Sequence, residues 1–405
     1  MSQARHPTLQ TLDLPDVRCF VGARLFGMTA RALLAATVAW HVFDLTGSAF
    51  YLGVVGLVEF VPVLPVTLLG GALADTLDRR SVLLAARGAA LVCALGLWAG
   101  GGDGHLLWWI LAMAFWLAVT GGFEHPAAAA MLPDLVPREI LQHAVVLNST
   151  ARNLAAVTGP VIGGFAIEAG GVGAAYALSA ALFVASLALL LGVRRPGARE
   201  APARVSFAAI REGIAFVGQR PLLWGSMTLD MFAVIFAGAT ALLPVYADQI
   251  LGVGPRGYGL LAASMSIGTL LTVGFLLVRP PFERPGRALL GAVLGFGLAT
   301  IVFGLSRWFA LSLAAFVVAG MADQVSVVAR ATILQLTTPA ELRGRVNSVN
   351  MVFVGASNEL GAAESGFLAA LTSATFSVVA GGVACLAALG IIGARVPALR
   401  RYRVE

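Results

Sequence analysis

The chain has 405 residues, 59% of them hydrophobic and only 12% charged, with a mean hydropathy of +0.87. Soluble globular proteins carry about 25% charged residues, so this composition excludes a water-soluble domain and calls for a bilayer as solvent. The net charge of +6 is not read as a nucleic-acid footprint: all 27 basic residues are arginine, and most sit in short segments between apolar runs, the pattern of a cytoplasmic excess of positive charge.

The N-terminal segment is polar and mixed in charge, and the apolar run after it contains Arg24 and Arg31. A cleavable signal needs an uninterrupted apolar core, so an uncleaved cytoplasmic N-terminus is expected. A spanning helix needs ~20 mostly apolar residues, and the sequence offers about twelve such runs. The first six lie at roughly 18–44, 50–74, 81–101, 106–127, 145–168 and 173–193. The second six lie at roughly 222–248, 257–279, 286–305, 308–336, 345–371 and 374–394.

The longest hydrophilic stretch, from Arg194 to Gln219, falls between the two sets. Within it, Val205 to Val217 places apolar residues at helical spacing, as in an amphipathic helix on the membrane surface. The expected organisation is an N-terminal six-helix bundle over 1–193, a cytoplasmic linker over 194–221 and a C-terminal six-helix bundle over 222–405. Arginines at Arg79 and Arg80, Arg138, Arg194 to Arg220, Arg279 to Arg287, Arg343, Arg345 and the C-terminal tail all fall on one side; the other side has Arg256 and Arg307. Both termini are therefore expected in the cytoplasm.

The two halves also echo each other. At one constant offset, close to half the chain, Pro137 matches Pro339, Glu139 matches Glu341, Asn148 matches Asn350, Gly159 matches Gly361 and Gly164-Phe165 matches Gly366-Phe367. Parallel-repeat transporters place their substrate between two such halves.

Charges inside apolar runs are costly, ~2.5–3.5 kcal/mol each on insertion scales, so each must face the bundle interior or a partner. Arg24 and Arg31 lie two turns apart on one face of the first span, Glu59 is in the second, and Glu124 with His125 is in the fourth. Arg152, Asp230, Asp323 with Arg330, and Glu359 with Glu364 follow in the fifth, seventh, tenth and eleventh. Arg152, Arg330 and Glu124, nearer helix ends, are expected to be static pairs. Asp230, Asp323 and Glu359, nearer the centre, are candidates for proton coupling, because a buried carboxyl group exchanges a proton near neutral pH. Arg24 and Arg31 either hold an anionic substrate or neutralise Glu59. Cys19, Cys93 and Cys385 have no metal-ligand or redox spacing, and the five histidines are scattered, so no metal or cofactor is expected. No P-loop and no hydrolase motif is present.

Between the second and third spans runs Gly71-Ala-Leu-Ala-Asp-Thr-Leu-Asp-Arg-Arg-Ser-Val-Leu83. It resembles the signature loop of the major facilitator superfamily, G-x-L-a-D-r-x-G-R-R, at Gly71, Leu73, Asp75, Arg79 and Arg80; Thr76 and Asp78 depart from it. A carboxylate at Asp75 can accept backbone N–H groups from the start of a helix in the other half, latching the cytoplasmic gate. The bland alternative is a solvated, topology-setting charge cluster. In the fifth span Gly159-Pro160-Val-Ile-Gly163-Gly164 is similar to the core of the superfamily's exporter motif, although Val146 and Ala155 stand where the fuller motif has glycine.

The whole pattern resembles the branch of bacterial siderophore and drug exporters. That resemblance implies an all-α membrane protein with twelve transmembrane helices in two pseudo-symmetric bundles, the major facilitator fold. It further implies a multi-pass protein of the bacterial inner membrane that is no enzyme and acts as a monomer. The function implied is proton-coupled antiport, exporting a small amphipathic compound by alternating access. The rivals are an uptake symporter of the same fold and a membrane lipid-handling protein or enzyme.

Overall fold

The computed structural model describes residues 11–76, 78–100, 106–194, 207–236, 238–278, 282–339 and 341–404, with backbone alone at some positions, residues 67–76 among them. The described residues form helices joined by short turns: α1 (Pro15–Thr46), α2 (Ala49–Thr76), α3 (Arg79–Ala99), α4 (Leu106–Leu135), α5 (Leu141–Leu191), α6 (Phe207–Gly218) and α7 (Pro221–Phe236). The remainder are α8 (Gly254–Leu277), α9 (Pro285–Leu305), α10 (Phe309–Thr337), α11 (Arg343–Leu371), α12 (Ala374–Arg395) and the short α13 (Pro397–Arg401).

Each expected apolar run falls on a helix, but only nine helices among the described residues are long and apolar enough to cross a bilayer. The fifth and sixth runs share α5, which breaks at Gly170 and at Gly171, where φ is 72° and ψ −177°. Only glycine adopts that backbone readily, so two helices meet there without a loop. α11 carries Arg343, Arg345, Glu359 and Glu364, which lower its hydropathy. α2 qualifies only as the shorter apolar helix Ala49–Pro62. The seventh run is not one regular helix: α7 gives way at Ala239 to short helical turns that continue to Ile250.

The chain packs as two compact units, Met1–His41 with Val61–Arg204, and Val42–Phe60 with Val205–Glu405. In the first, α3 lies against α4 and α5 over a core that includes Phe20, Leu83, Met131 and Leu190. In the second, α10 packs on α8 and α9, and α12 on α9 and α7, over Leu223, Leu289, Ile333 and Cys385. Lipid tails are as apolar as leucine, so helices in a membrane gain by close approach rather than by escaping water. Gly268 and Gly320 provide that approach between α8 and α10: a Cβ on either would stand 2.0 Å from a backbone oxygen, of Val317 and Met265 respectively.

Outward faces are apolar, with Val92, Leu277, Val278 and Leu371 exposed. Trp98, Trp108 and Trp308 are exposed near helix ends, where amphipathic rings sit at a membrane interface.

Candidate functional site

The first unit encloses a charge cluster centred on Glu124. Arg24 of α1 donates from Nη1 to Glu124 Oε1 at 3.3 Å and from Nε to Asn148 Oδ1 at 3.3 Å. Arg31, two turns on, donates from Nη2 to Glu124 Oε2 at 3.2 Å and to Thr120 Oγ1 at 2.9 Å, and from Nη1 to the Leu117 carbonyl at 2.7 Å. Arg87 of α3 donates from Nη2 to Glu124 Oε1 at 3.2 Å, and from Nη1 to the Ala23 carbonyl and to Ser186 Oγ. The carboxylate that gathers Arg24 and Arg31 is thus Glu124, whereas the sequence had offered Glu59.

The expectation that Glu124 sits near a helix end is also revised. α4 continues through Pro126 and Pro133 to Leu135, so Glu124 lies about three turns inside the helix. Side-chain exposure is 3% for Glu124, 6% for Arg24, 19% for Arg31 and 1% for Arg87. Arg87 has no place in the sequence-based set of intramembrane charges, although the same rule, a charge inside an apolar run, picks it out. Glycines make room for these guanidinium groups: a Cβ on Gly27 would lie 2.7 Å from Arg87 Cζ, and one on Gly121 would lie 3.2 Å from Arg31 Nη1.

The second unit holds a different arrangement. Arg330 of α10 meets Asp230 Oδ2 at 2.7 Å and donates to Asn350 Oδ1 at 3.0 Å, while Ser326 Oγ donates to Asp230 Oδ1 at 3.1 Å. Asp323 lies within electrostatic reach of both Asp230 and Arg330. Asp230 is therefore already neutralised by an arginine.

Glu359 lies elsewhere on α11, with the carboxyl group of Glu59 on α2 close to its own. The two helices touch just beyond this pair. A Cβ on Gly56 would stand 2.8 Å from Ala362 Cβ, and one on Gly366 would stand 2.3 Å from the Gly53 nitrogen.

In the loop motif, the Asp75 side chain lies outside what the structure describes, and with it the expected latch; Gly71 is described by its backbone alone. Asp78, where the family pattern has glycine, needs no positive φ: it sits at φ −59°, ψ 116° and caps α3, accepting from the Ser81 nitrogen at 3.1 Å. Arg79 pairs with Asp134 at the end of α4 and donates to the Ala130 carbonyl at 3.0 Å. Arg80 donates to the carbonyls of Leu190 and Leu191, 3.3 and 2.8 Å away, at the C-terminal end of α5, where the helix dipole favours a cation.

The exporter-like motif of α5 packs on α1. A Cβ on Gly159 would lie 2.5 Å from Ala32 Cβ and 3.0 Å from the Leu33 nitrogen, beside Arg31. Pro160, Gly163 and Gly164 are buried, but Gly163 leaves ordinary contact distances to Leu33.

The sequence profile of the Major Facilitator Superfamily matches residues 20–362. The enterobactin exporter EntS of Shigella boydii is 28% identical over 394 residues, covering 96% of this chain and 94% of that protein. EntS of Escherichia coli O1:K1 is 27% identical with the same coverage. Among solved structures, a bacterial homologue of the human lysosomal transporter Spinster, inward-facing and occupied, superposes with a TM-score of 0.74 at 16% identity, covering 96% of this chain and 98% of that one. A peptide transporter POT in complex with alafosfalin gives 0.75 at 14%, covering 99% and 100%.

Proposed function

This chain belongs to the Major Facilitator Superfamily, whose members are transporters and not enzymes, and on that premise we propose that it exports a small amphipathic compound from a bacterial cytoplasm in exchange for protons. Likeness to enterobactin exporters along nearly the whole chain supports export across the inner membrane. The arginine distribution supports cytoplasmic termini.

The observation that carries proton coupling is the approach of the Glu59 and Glu359 carboxyl groups to each other. Two carboxylates offer only acceptors, so the pair can share a hydrogen bond only with a proton on one of them. Losing it sets two like charges side by side in a low-dielectric site, which drives them apart. Protonation thus holds α2 against α11 along the Gly53, Gly56 and Gly366 seam, and deprotonation releases it. Pro62 and Pro65 follow within α2, just beyond the point at Phe60 where the chain passes from one unit to the other, and proline is where helices bend. Alternating access then proceeds as the two bundles, 1–193 and 222–405, exchange the side on which the substrate is exposed. Asp230 is a weaker coupling candidate because Arg330 already compensates it, and Asp323 faces the same arginine.

The test is efflux from proteoliposomes under an imposed pH gradient with a panel of amphipathic drugs and siderophores. Glu59→Gln and Glu359→Gln are expected to abolish gradient-driven accumulation while substrate exchange without a gradient persists. Full gradient-driven transport by both variants would refute the assignment.

A further inference from the structure

The Glu124 cluster does not balance. Three guanidinium groups, of Arg24, Arg31 and Arg87, converge on one carboxylate, leaving two positive charges uncompensated among the four groups. Arg152 of α5 adds a further positive charge acting on Arg24. Donors are in surplus as well: Arg87 Nε is buried with no hydrogen-bond partner among the described residues. An uncompensated charge inside a membrane protein is expensive and marks a substrate path by default. The charged site of the second unit is built the other way, with Arg330 paired to Asp230 and Asp323 within electrostatic reach, so the excess of arginine is particular to the first unit.

Arg31 is the most accessible member, and its Thr120 partner leads to an apolar space. A groove of about 630 Å³ between α3 and α4, open on the side where Trp116 stands 55% exposed, is lined by Val82, Ala86, Val119 and Thr120 and also by Asp78 and Ser81. That is the size and character of a small-molecule site. We propose that Arg31, with Arg24 and Arg87 behind it, binds the carboxylate-type oxyanion of an amphipathic substrate whose apolar body occupies the α3–α4 groove. A planar guanidinium presents two parallel N–H groups to such an oxyanion, so Arg31 can exchange its Leu117 and Thr120 acceptors for the ligand while Glu124 holds the other two arginines in place.

This assignment rests on the reading of the chain as an exporter of small amphipathic compounds, but its test needs neither gradient nor transport. The full-length protein in nanodiscs of zwitterionic lipid is titrated calorimetrically with 2-naphthoate and with its uncharged isostere 2-naphthamide. Naphthoate is expected to bind saturably, at least tenfold more tightly than the amide, with an affinity that falls as NaCl rises. Arg31→Gln should weaken naphthoate at least tenfold and leave the amide unchanged, and Arg31→Lys should recover part of the loss, since it restores the charge without the fork. Equal binding of acid and amide, or naphthoate affinity unchanged in a folded Arg31→Gln protein, overturns the site. If Arg31→Gln does not fold, Arg31→Lys with undiminished naphthoate affinity overturns it. Efflux that shows no preference for anions overturns the site and leaves the exporter standing; anion binding without any efflux does the reverse.

Discussion

The Asp230–Arg330 pair should behave as a structural unit that tolerates joint removal better than the loss of either member. Both side chains are 6% exposed and their charged atoms are 2.7 Å apart. Removing one partner of a buried pair leaves an uncompensated charge and costs about 3–5 kcal/mol. The surroundings make the two single losses unequal. Asp230→Asn leaves Arg330 with Asp323 still in reach, which places the loss near 3 kcal/mol on that scale. Arg330→Gln leaves two carboxyl groups with their shared cation gone, which places it near 5 kcal/mol on the same scale. In Asp230→Asn with Arg330→Gln together, Asn350 and Ser326 remain to bond the two amides, so the losses should fall short of additive by about 2–3 kcal/mol. The assay is equilibrium unfolding in mixed micelles by titration with SDS. Losses that add to within about 0.5 kcal/mol, or an Arg330→Gln variant no weaker than Asp230→Asn, would refute this account.

Gly320→Leu should abolish folded protein or cost about 3 kcal/mol or more, because the new Cβ meets the Met265 carbonyl at 2.0 Å, whereas Gly274→Ala, with nothing within 4 Å, should leave the melting temperature unchanged. Gly27→Ala should displace Arg87 and lower the melting temperature measurably, since its Cβ would lie 2.7 Å from Cζ of a guanidinium that cannot retreat without breaking its bond to Glu124. In a background lacking Cys19, Cys93 and Cys385, Trp308→Cys should react with an impermeant maleimide applied to intact cells and Glu283→Cys only after permeabilisation; the opposite labelling would invert the proposed orientation.

The helices were legible because each rests on a run of apolar residues long enough to be read without knowing its neighbours. The pairing of charges was not, since it depends on which faces of which helices meet. Arg24 and Arg31 are visibly on one face of α1, but their joint partner is decided by how far α4 extends, and Pro126 and Pro133 make that helix look as if it stops sooner than it does. Arg87 is legible from the sequence, standing as it does in the midst of Leu83, Leu84 and Ala85 on one side and Ala89 and Ala90 on the other. The Glu59 and Glu359 contact had no local sign at all: the residues are far apart in sequence and come together only through the glycine seam of α2 and α11.

The repeat carries a trace of its own history. Asn148 and Asn350 occupy matching positions in the two halves, and each accepts a hydrogen bond from an arginine. Those arginines, however, come from non-matching helices, and the position that holds Glu124 in the first half is taken in the second by Ser326. The asparagine recurs in both halves, while the residues that bring an arginine to it do not. A chain assembled from two copies of the first half would have to insert its surplus arginines twice, at ~2.5–3.5 kcal/mol for each unmatched charge. The present halves are not interchangeable parts, and swapping them should fail at membrane insertion before it fails at transport.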